Sequence, residues 1–381
     1  MYKTRFLLFL LAAALSGVPA EAAGKRDTEI ANRVAQWQID NFGEHLSRPG
    51  TRSDQHWANG ALYRGMLTWA DVSGYKPCEE FVLGIGRRNG WRMGWRQYHA
   101  DDICVGQASL MLYERYRDPA MLRPVKQRAD SVIAFPAQTK MHIKAKNGSN
   151  RWSWCDALFM APPVYALLAN VTGDNGYREF MNREFYASSR SLFDAAEGLY
   201  YRDARYFGKR EKNGEKIFWG RGNGWIAMSL ADVLALLPAG HRDRSGLKAM
   251  FVQMMRTLCR VQDPATGHWR QLPLRVEDAG AGNYIESSAT AMFGYALAKG
   301  VAEGVLRGGR YRKAAERAWK GLLAYSVEGR GTDSLTLGNV CAGTCIGERR
   351  YYYARPVVSG ESFATGAFLQ FAGQMDRLDR R

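Results

Sequence analysis

Through most of this chain the apolar residues return every third or fourth position, and the runs break at Gly, Pro, Asn and Asp. Ile226, Leu230, Val233 and Leu237 share one helical face, and their run stops at Pro238 and Gly240. Ile285, Ala289, Met292, Phe293 and Ala296 repeat the pattern. Read this way throughout, the spacing predicts about twelve helices, beginning near residues 28, 55, 76, 102, 121, 157, 175, 223, 245, 285, 310 and 361. Two strand-like pieces, LYYRD from Leu199 and KIFW from Lys216, are expected to form a small hairpin between helices.

No Pro- or Ser-rich linker divides these segments, so the pattern predicts one all-α domain. Two architectures accommodate twelve amphipathic helices: an open solenoid of helix pairs, or a closed toroid of six hairpins, the (α/α)6 barrel. A solenoid carries a repeat of fixed period. Here loop lengths vary and successive pairs differ, so the closed barrel is expected, with residues at the inner helix ends meeting around a central cleft.

The first residues follow another pattern. Lys3 and Arg5 precede an apolar run over residues 6–18, and Ala20, Glu21 and Ala22 form an A-x-A site. This reads as a signal peptide over residues 1–22, too short to span a bilayer. Residues 23–381 then form the single barrel domain, expected to be exported, periplasmic or secreted, with no membrane association.

The formal charge of +16 falls to +15 once Lys3, Arg5 and Glu21 leave. A basic surface suits an acidic partner, and export points to an acidic polysaccharide rather than nucleic acid. Six cysteines in an exported chain permit disulfides. Cys341 and Cys345, in VCAGTC, stand near enough to bridge locally, whereas Cys78, Cys104, Cys155 and Cys259 show no spacing that decides pairing. The six histidines form no HExxH pattern, and GIGRRNG (residues 84–90) lacks the spacing of a dinucleotide fingerprint. No metal and no cofactor are expected.

Three segments place acids or aromatics at helix starts. In YHADDICVGQ (residues 98–107), Asp101 and Asp102 stand where a cap belongs, yet two adjacent carboxylates exceed what a cap needs. If both enter one cleft, one acquires a raised pKa. In RWSWCDALFMAPP (residues 151–163), Asp156 sits among Trp152, Trp154, Cys155, Leu158 and Phe159. A lone carboxylate there is costly to bury, so it reads as a carboxylic acid held protonated by apolar surroundings, ready to donate. In FWGRGNGW (residues 218–225), Arg221 is a candidate grip for a planar anion, Trp219 and Trp225 for stacking, and the glycines for close approach to a ligand. Tyr284 to Ser288 and Glu361 with Ser362 open two later helices and read as caps.

Together WCDALFMAPP, ADDICVGQ, FWGRGNGW and YIESSATAMFGYALAKG resemble the unsaturated rhamnogalacturonyl hydrolases of glycoside hydrolase family 105. The unsaturated glucuronyl hydrolases of family 88 are more distantly similar. The resemblance covers nearly all of residues 23–381. It implies an (α/α)6 barrel that removes a 4,5-unsaturated uronic acid from the non-reducing end of lyase-generated oligosaccharides. It also implies the chemistry: an aspartate protonates C4, water adds at C5, and the hemiketal opens. Carried over by position, Asp156 matches the general acid/base and Asp102, in preference to Asp101, its partner carboxylate. Trp219, Arg221, Asn223 and Trp225 match the wall that holds the sugar, and Asp101, His99 and Trp154 join the binding candidates. Where many members carry an HxWD-like segment, this chain reads YYRDARYF (residues 200–207), so Arg202, with Asp203, stands as a candidate for part of that binding. The expected partner is an acidic unsaturated oligosaccharide, bound by a monomer.

Two other classes remain open to the sequence. One is a silent sugar-binding protein on the same barrel. The other is a polysaccharide lyase using Tyr98, His99 and Arg221 as base and neutraliser.

Overall fold

Among the described residues, twelve helices of eleven residues or more alternate between an outer and an inner ring. The structure is a computed structural model and describes residues 20–47, 53–211, 213–329, 331, 332 and 334–380. In chain order the helices are α1 (Ala20–Asp40), α2 (Trp57–Ser73), α3 (Lys76–Asn89), α4 (Gly106–Tyr116), α5 (Pro119–Ala134) and α6 (Pro162–Thr172). There follow α7 (Asn175–Leu192), α8 (Gly220–Leu236), α9 (Arg244–Val261), α10 (Ser287–Ala302), α11 (Gly309–Tyr325) and α12 (Ser362–Asp379). Every predicted start has its helix. The largest shift is at α1, which begins at Ala20 rather than near residue 28. The leader expected over residues 1–22 lies outside the described residues apart from 20–22.

The even-numbered helices form the inner ring: each packs on the next, and α12 closes the circle against α2. The fold is therefore the (α/α)6 barrel. Burial explains the two rings, because a helix apolar on all sides must be covered on all sides. In α8 every residue from Gly220 to Leu234 is buried, whereas the outer α11 buries one stripe that includes Tyr311, Ala314, Ala318, Trp319 and Leu322. Since inner and outer helices alternate up and down, all six inner helices start at the same end of the barrel.

The ring closes where glycine meets glycine. A Cβ on Gly366 of α12 would lie 2.3 Å from the Ala61 carbonyl oxygen, and one on Gly65 of α2 would lie 2.2 Å from the Gly366 carbonyl oxygen. Both obstacles are backbone, which cannot swing aside. Gly366→Ala gains about 1 kcal/mol of helix propensity and loses more to overpacking. A net loss of about 2 kcal/mol is expected in denaturant unfolding, and an unchanged or higher midpoint would show that the seam is slack.

Inside the barrel, Asp232 of α8 ties two further inner helices directly and a third through Arg64. It accepts from Arg64 of α2 and from Lys299 (2.6 Å) and Tyr295 (2.5 Å) of α10, while Arg64 also donates to Gln107 of α4 at 2.6 Å. Burial alone would raise the Asp232 pKa, but the charges of Arg64 and Lys299 outweigh it and hold it low.

The expected hairpin forms with another partner. Leu199–Tyr200 pairs antiparallel with Phe193–Asp194, and residues 216–219 form no strand. The close connection between α7 and Leu199 supplies the nearer edge, so KIFW is left as the approach to α8.

Candidate active site

Two short turns before inner helices carry the acids. The first, Ala100–Ile103, precedes α4, and His99 caps it by accepting from the Asp101 N–H through Nδ1 at 3.4 Å. Neighbouring residues on a helical turn point about 100° apart, so Asp101 and Asp102 cannot face the same way. Asp102 turns to the preceding loop, where it accepts from the Arg96 N–H at 2.7 Å and from the Arg96 guanidinium Nη2 at 2.6 Å and Nε at 3.1 Å. Burial would raise its pKa, yet these hydrogen bonds and the Arg96 charge hold it below the usual carboxylate range.

Asp101 has the opposite environment. Burial first, then the charge of Asp156, push its carboxyl up to about 7. The acid on which the Asp156 charge acts is therefore Asp101, and Asp102, the expected partner, is instead taken by Arg96.

Asp156 heads the second turn, Ala157–Met160, which precedes α6. Its side chain makes no capping bond; it accepts from the Cys155 thiol at 3.1 Å. Gln107 pins this turn to α4, with Nε2 donating to the Phe159 carbonyl at 3.0 Å and the Met160 carbonyl at 3.3 Å. One residue of α4 thus joins the two acid-bearing segments. Asp156 is not the lone acid in apolar surroundings that the sequence suggests, for Asp101 and Arg202 both act on it electrostatically.

Arg202 lies 4.6 Å above the Trp219 ring, and its side chain is 15% exposed. Burial lowers its pKa, but the Asp156 charge and its other neighbours leave it raised, so it is a fixed cation. It donates to Thr344 through Nη1 to Oγ1 and Nη2 to the carbonyl, each at 3.0 Å. Trp154, half-buried, bridges to Asp203 and lies 4.9 Å from the His99 ring. Burial, and then Arg96, lower the His99 pKa to about 4, so this ring is neutral near pH 7.

The glycine-rich motif is placed differently from expectation. Arg221 is 1% exposed and donates to the Cys341 carbonyl at 2.7 Å and the Ala342 carbonyl at 3.1 Å. It anchors the segment that presents Thr344 to Arg202 and is not placed to grip a ligand. Asn223, also buried, exchanges two hydrogen bonds with the Tyr200 backbone. Trp225 is fully buried, 4.5 Å from Phe159. Trp219, 4% exposed, supports Arg202 from below. The glycines serve packing rather than ligand approach: a Cβ on Gly222 would meet the Cys155 sulfur at 2.6 Å, and one on Gly224 the Met292 sulfur at 2.7 Å. They let α8 press against the Asp156 turn and α10. Glu286 caps α10, as the sequence reading has it, accepting from the Ala289 N–H at 2.7 Å.

All six cysteines are free thiols, so the local Cys341–Cys345 bridge does not form; Cys341 is buried and accepts from Gln271 at 2.8 Å. Among the described residues no group of three His, Cys, Asp or Glu is gathered to hold a metal, and no helix is long and apolar enough to cross a membrane. The sequence reading missed Arg96, Thr344 and Tyr352, whose ring stacks on Trp219 at 6.4 Å. Arg96 had a local signal, lying six residues before Asp102; Thr344 and Tyr352 had none.

Residues 30–379 match the model of Glycosyl Hydrolase Family 88. An unsaturated 3S-rhamnoglycuronyl hydrolase of Alteromonas sp. (strain LOR) is 30% identical over 331 residues, covering 82% of this chain and 79% of that protein. Among solved structures, a glycosyl hydrolase family 88 protein from Bacteroides vulgatus superposes with a TM-score of 0.76 at 24% identity, covering 93% of this chain and 99% of the other. A structure described as a polysaccharide lyase superposes with a TM-score of 0.77 at 26% identity, covering 94% and 98%.

Proposed function

Because the chain belongs to glycosyl hydrolase family 88, we propose that it removes a 4,5-unsaturated uronic acid from the non-reducing end of lyase-made oligosaccharides, by hydrating the C4=C5 double bond. The observation that carries this reading is Asp101, its carboxyl pushed up to about 7 by burial and then by the charge of Asp156, with the fixed cation Arg202 acting on Asp156 as well. Hydration of a vinyl ether needs one proton delivered to C4 and one taken from the water that bonds to C5. A singly protonated pair can do both and return to its starting state.

Asp156 meets the double bond, since the fixed cation Arg202, seated on Trp219, acts on Asp156, and Asp101 keeps the shared proton within the pair. Water addition at C5 gives a hemiketal. Its ring C5–O bond opens to a ketone, and the C1 hemiacetal then exposed releases the remaining oligosaccharide. Arg202 takes the uronate carboxylate. Thr344 occupies two of its five N–H donors, and the Asp203 carboxylate lies 3.9 Å from Nε.

Arg202→Ala should raise KM about ten- to hundredfold, the loss of a charged hydrogen bond, while a methyl-esterified uronide should lose little. Equal losses on the acid and the ester would show that Arg202 does not meet the carboxylate. The likeness to the Alteromonas unsaturated 3S-rhamnoglycuronyl hydrolase supports a rhamnose-type sugar next to the unsaturated unit. The apolar run behind Lys3 and Arg5 supports export.

The second reading, a lyase, has the lyase-described neighbour in its favour. Its base and neutraliser are not assembled: Arg221 is buried against two carbonyls, and Tyr98 donates to the Phe135 carbonyl at 2.9 Å. Product analysis decides between the two. Incubation with unsaturated oligosaccharides from pectin, ulvan and glycosaminoglycans should consume unsaturated ends; new unsaturated ends from intact polymer would make it a lyase.

A further inference from the structure

Trp95 is 88% exposed, more than any other large hydrophobic side chain among the described residues. An isolated exposed ring is ordinary on a protein surface. What is not ordinary is how firmly its backbone is held. On one side the Gly94 N–H donates to the Asp102 carbonyl at 2.8 Å, and the Gly94 carbonyl accepts from Arg128 Nη2 at 2.7 Å. On the other, the Arg96 N–H donates to the Asp102 carboxylate at 2.7 Å, and the Arg96 carbonyl accepts from Arg128 Nη1 at 3.0 Å. A Cβ on Gly94 would lie 2.5 Å from the Asp102 carboxyl carbon, so the loop is pressed directly onto the acid turn.

The neighbouring side chain adds a charge. Two nitrogens of the Arg96 guanidinium hold Asp102, Nη1 has no partner among the described residues, and the side chain is 39% exposed. Its charge reaches the catalytic end, acting on both Asp101 and His99. An exposed ring on a firmly held backbone and a fixed cation therefore stand side by side in the loop pressed onto the acid turn. A backbone already held in place gives up little entropy when a ligand stacks on the ring it carries.

We propose that Trp95 and Arg96 form a subsite for the reducing-side sugar of the substrate, with Trp95 stacking on an apolar sugar face and Arg96 meeting an anionic substituent on that sugar. This rests on the unsaturated uronyl hydrolase reading. A sugar ring with an apolar face, such as a deoxy sugar bearing a sulfate or carboxylate, is the ligand class this pairing fits.

The test compares a tetrasaccharide with the methyl glycoside of the same unsaturated uronate. Trp95→Ala should raise KM for the tetrasaccharide about tenfold and so remove the wild-type preference for the longer substrate, and Trp95→Phe should restore most of it. A preference unchanged in Trp95→Ala overturns the subsite. Iodide quenching supplies a readout besides activity. The fluorescence component lost in Trp95→Phe should be quenched in the free protein and shielded by saturating tetrasaccharide in an inactive Asp156→Asn background; no shielding overturns the proposal. Should the wild type cleave neither substrate, the hydrolase reading itself fails, an outcome distinct from cleavage of both with no dependence on Trp95.

Discussion

Asp156→Asn is expected to bind unsaturated oligosaccharide with near-normal affinity and to turn it over roughly 10³-fold more slowly, the usual contribution of a positioned proton donor and acceptor. Asparagine keeps the size and the Cys155 contact, and Asp156 caps no helix, so the fold should not change. Binding and chemistry therefore separate cleanly: isothermal titration should give a Kd within a few-fold of wild type while kcat collapses. Turnover within tenfold of wild type would remove Asp156 from the mechanism, whatever the affinity.

Asp101→Asn should lose activity by about 10²- to 10⁴-fold, and it carries a second signature in pH. The Asp101 carboxyl, ordinarily near 3.8, is pushed to about 7 by burial and then by Asp156. A raised pKa means that the native protein binds this proton more tightly than the unfolded chain does. The stability this gives is complete below about pH 4 and is lost as pH rises through 7, where an ionised Asp101 must sit beside Asp156. Asparagine cannot ionise. The variant should therefore have a higher melting temperature than wild type at pH 8, with the difference shrinking toward pH 4. The wild-type rate should also fall on the alkaline side of about pH 7, as the pair loses its proton. A variant less stable than wild type at pH 8 would show that the pair is not under this strain.

The barrel was largely legible in the sequence, and the reason is physical. Helices buried on one face or on all sides must repeat apolar residues at the helical period, so α8 and α10 announce themselves. Closure came less directly, from the lack of a fixed repeat; the contact that achieves it, Gly65 against Gly366, joins positions far apart in the chain and leaves no local trace.

The site was legible in its segments and misread within them. Which of two adjacent aspartates enters the cleft is decided by Arg96, a loop residue, and capping preference says nothing about it. An arginine among glycines between tryptophans looks like a ligand grip. Yet Arg221 is spent on carbonyls 120 and 121 residues away, and the glycines on helix packing. The cation that faces Asp156 is Arg202, visible beforehand only as a departure from the HxWD-like pattern. Its partner Thr344, 142 residues on, had no signal at all.

The most direct test of the account follows two signals in one reaction: ultraviolet absorbance of the conjugated uronate, and release of the aglycone from an unsaturated uronide. Hydration at C4=C5 predicts that absorbance falls no later than the aglycone appears, with both processes abolished in Asp156→Asn. Aglycone released ahead of the absorbance loss would mean direct attack at the anomeric carbon, and would contradict the role assigned to the Asp101–Asp156 pair.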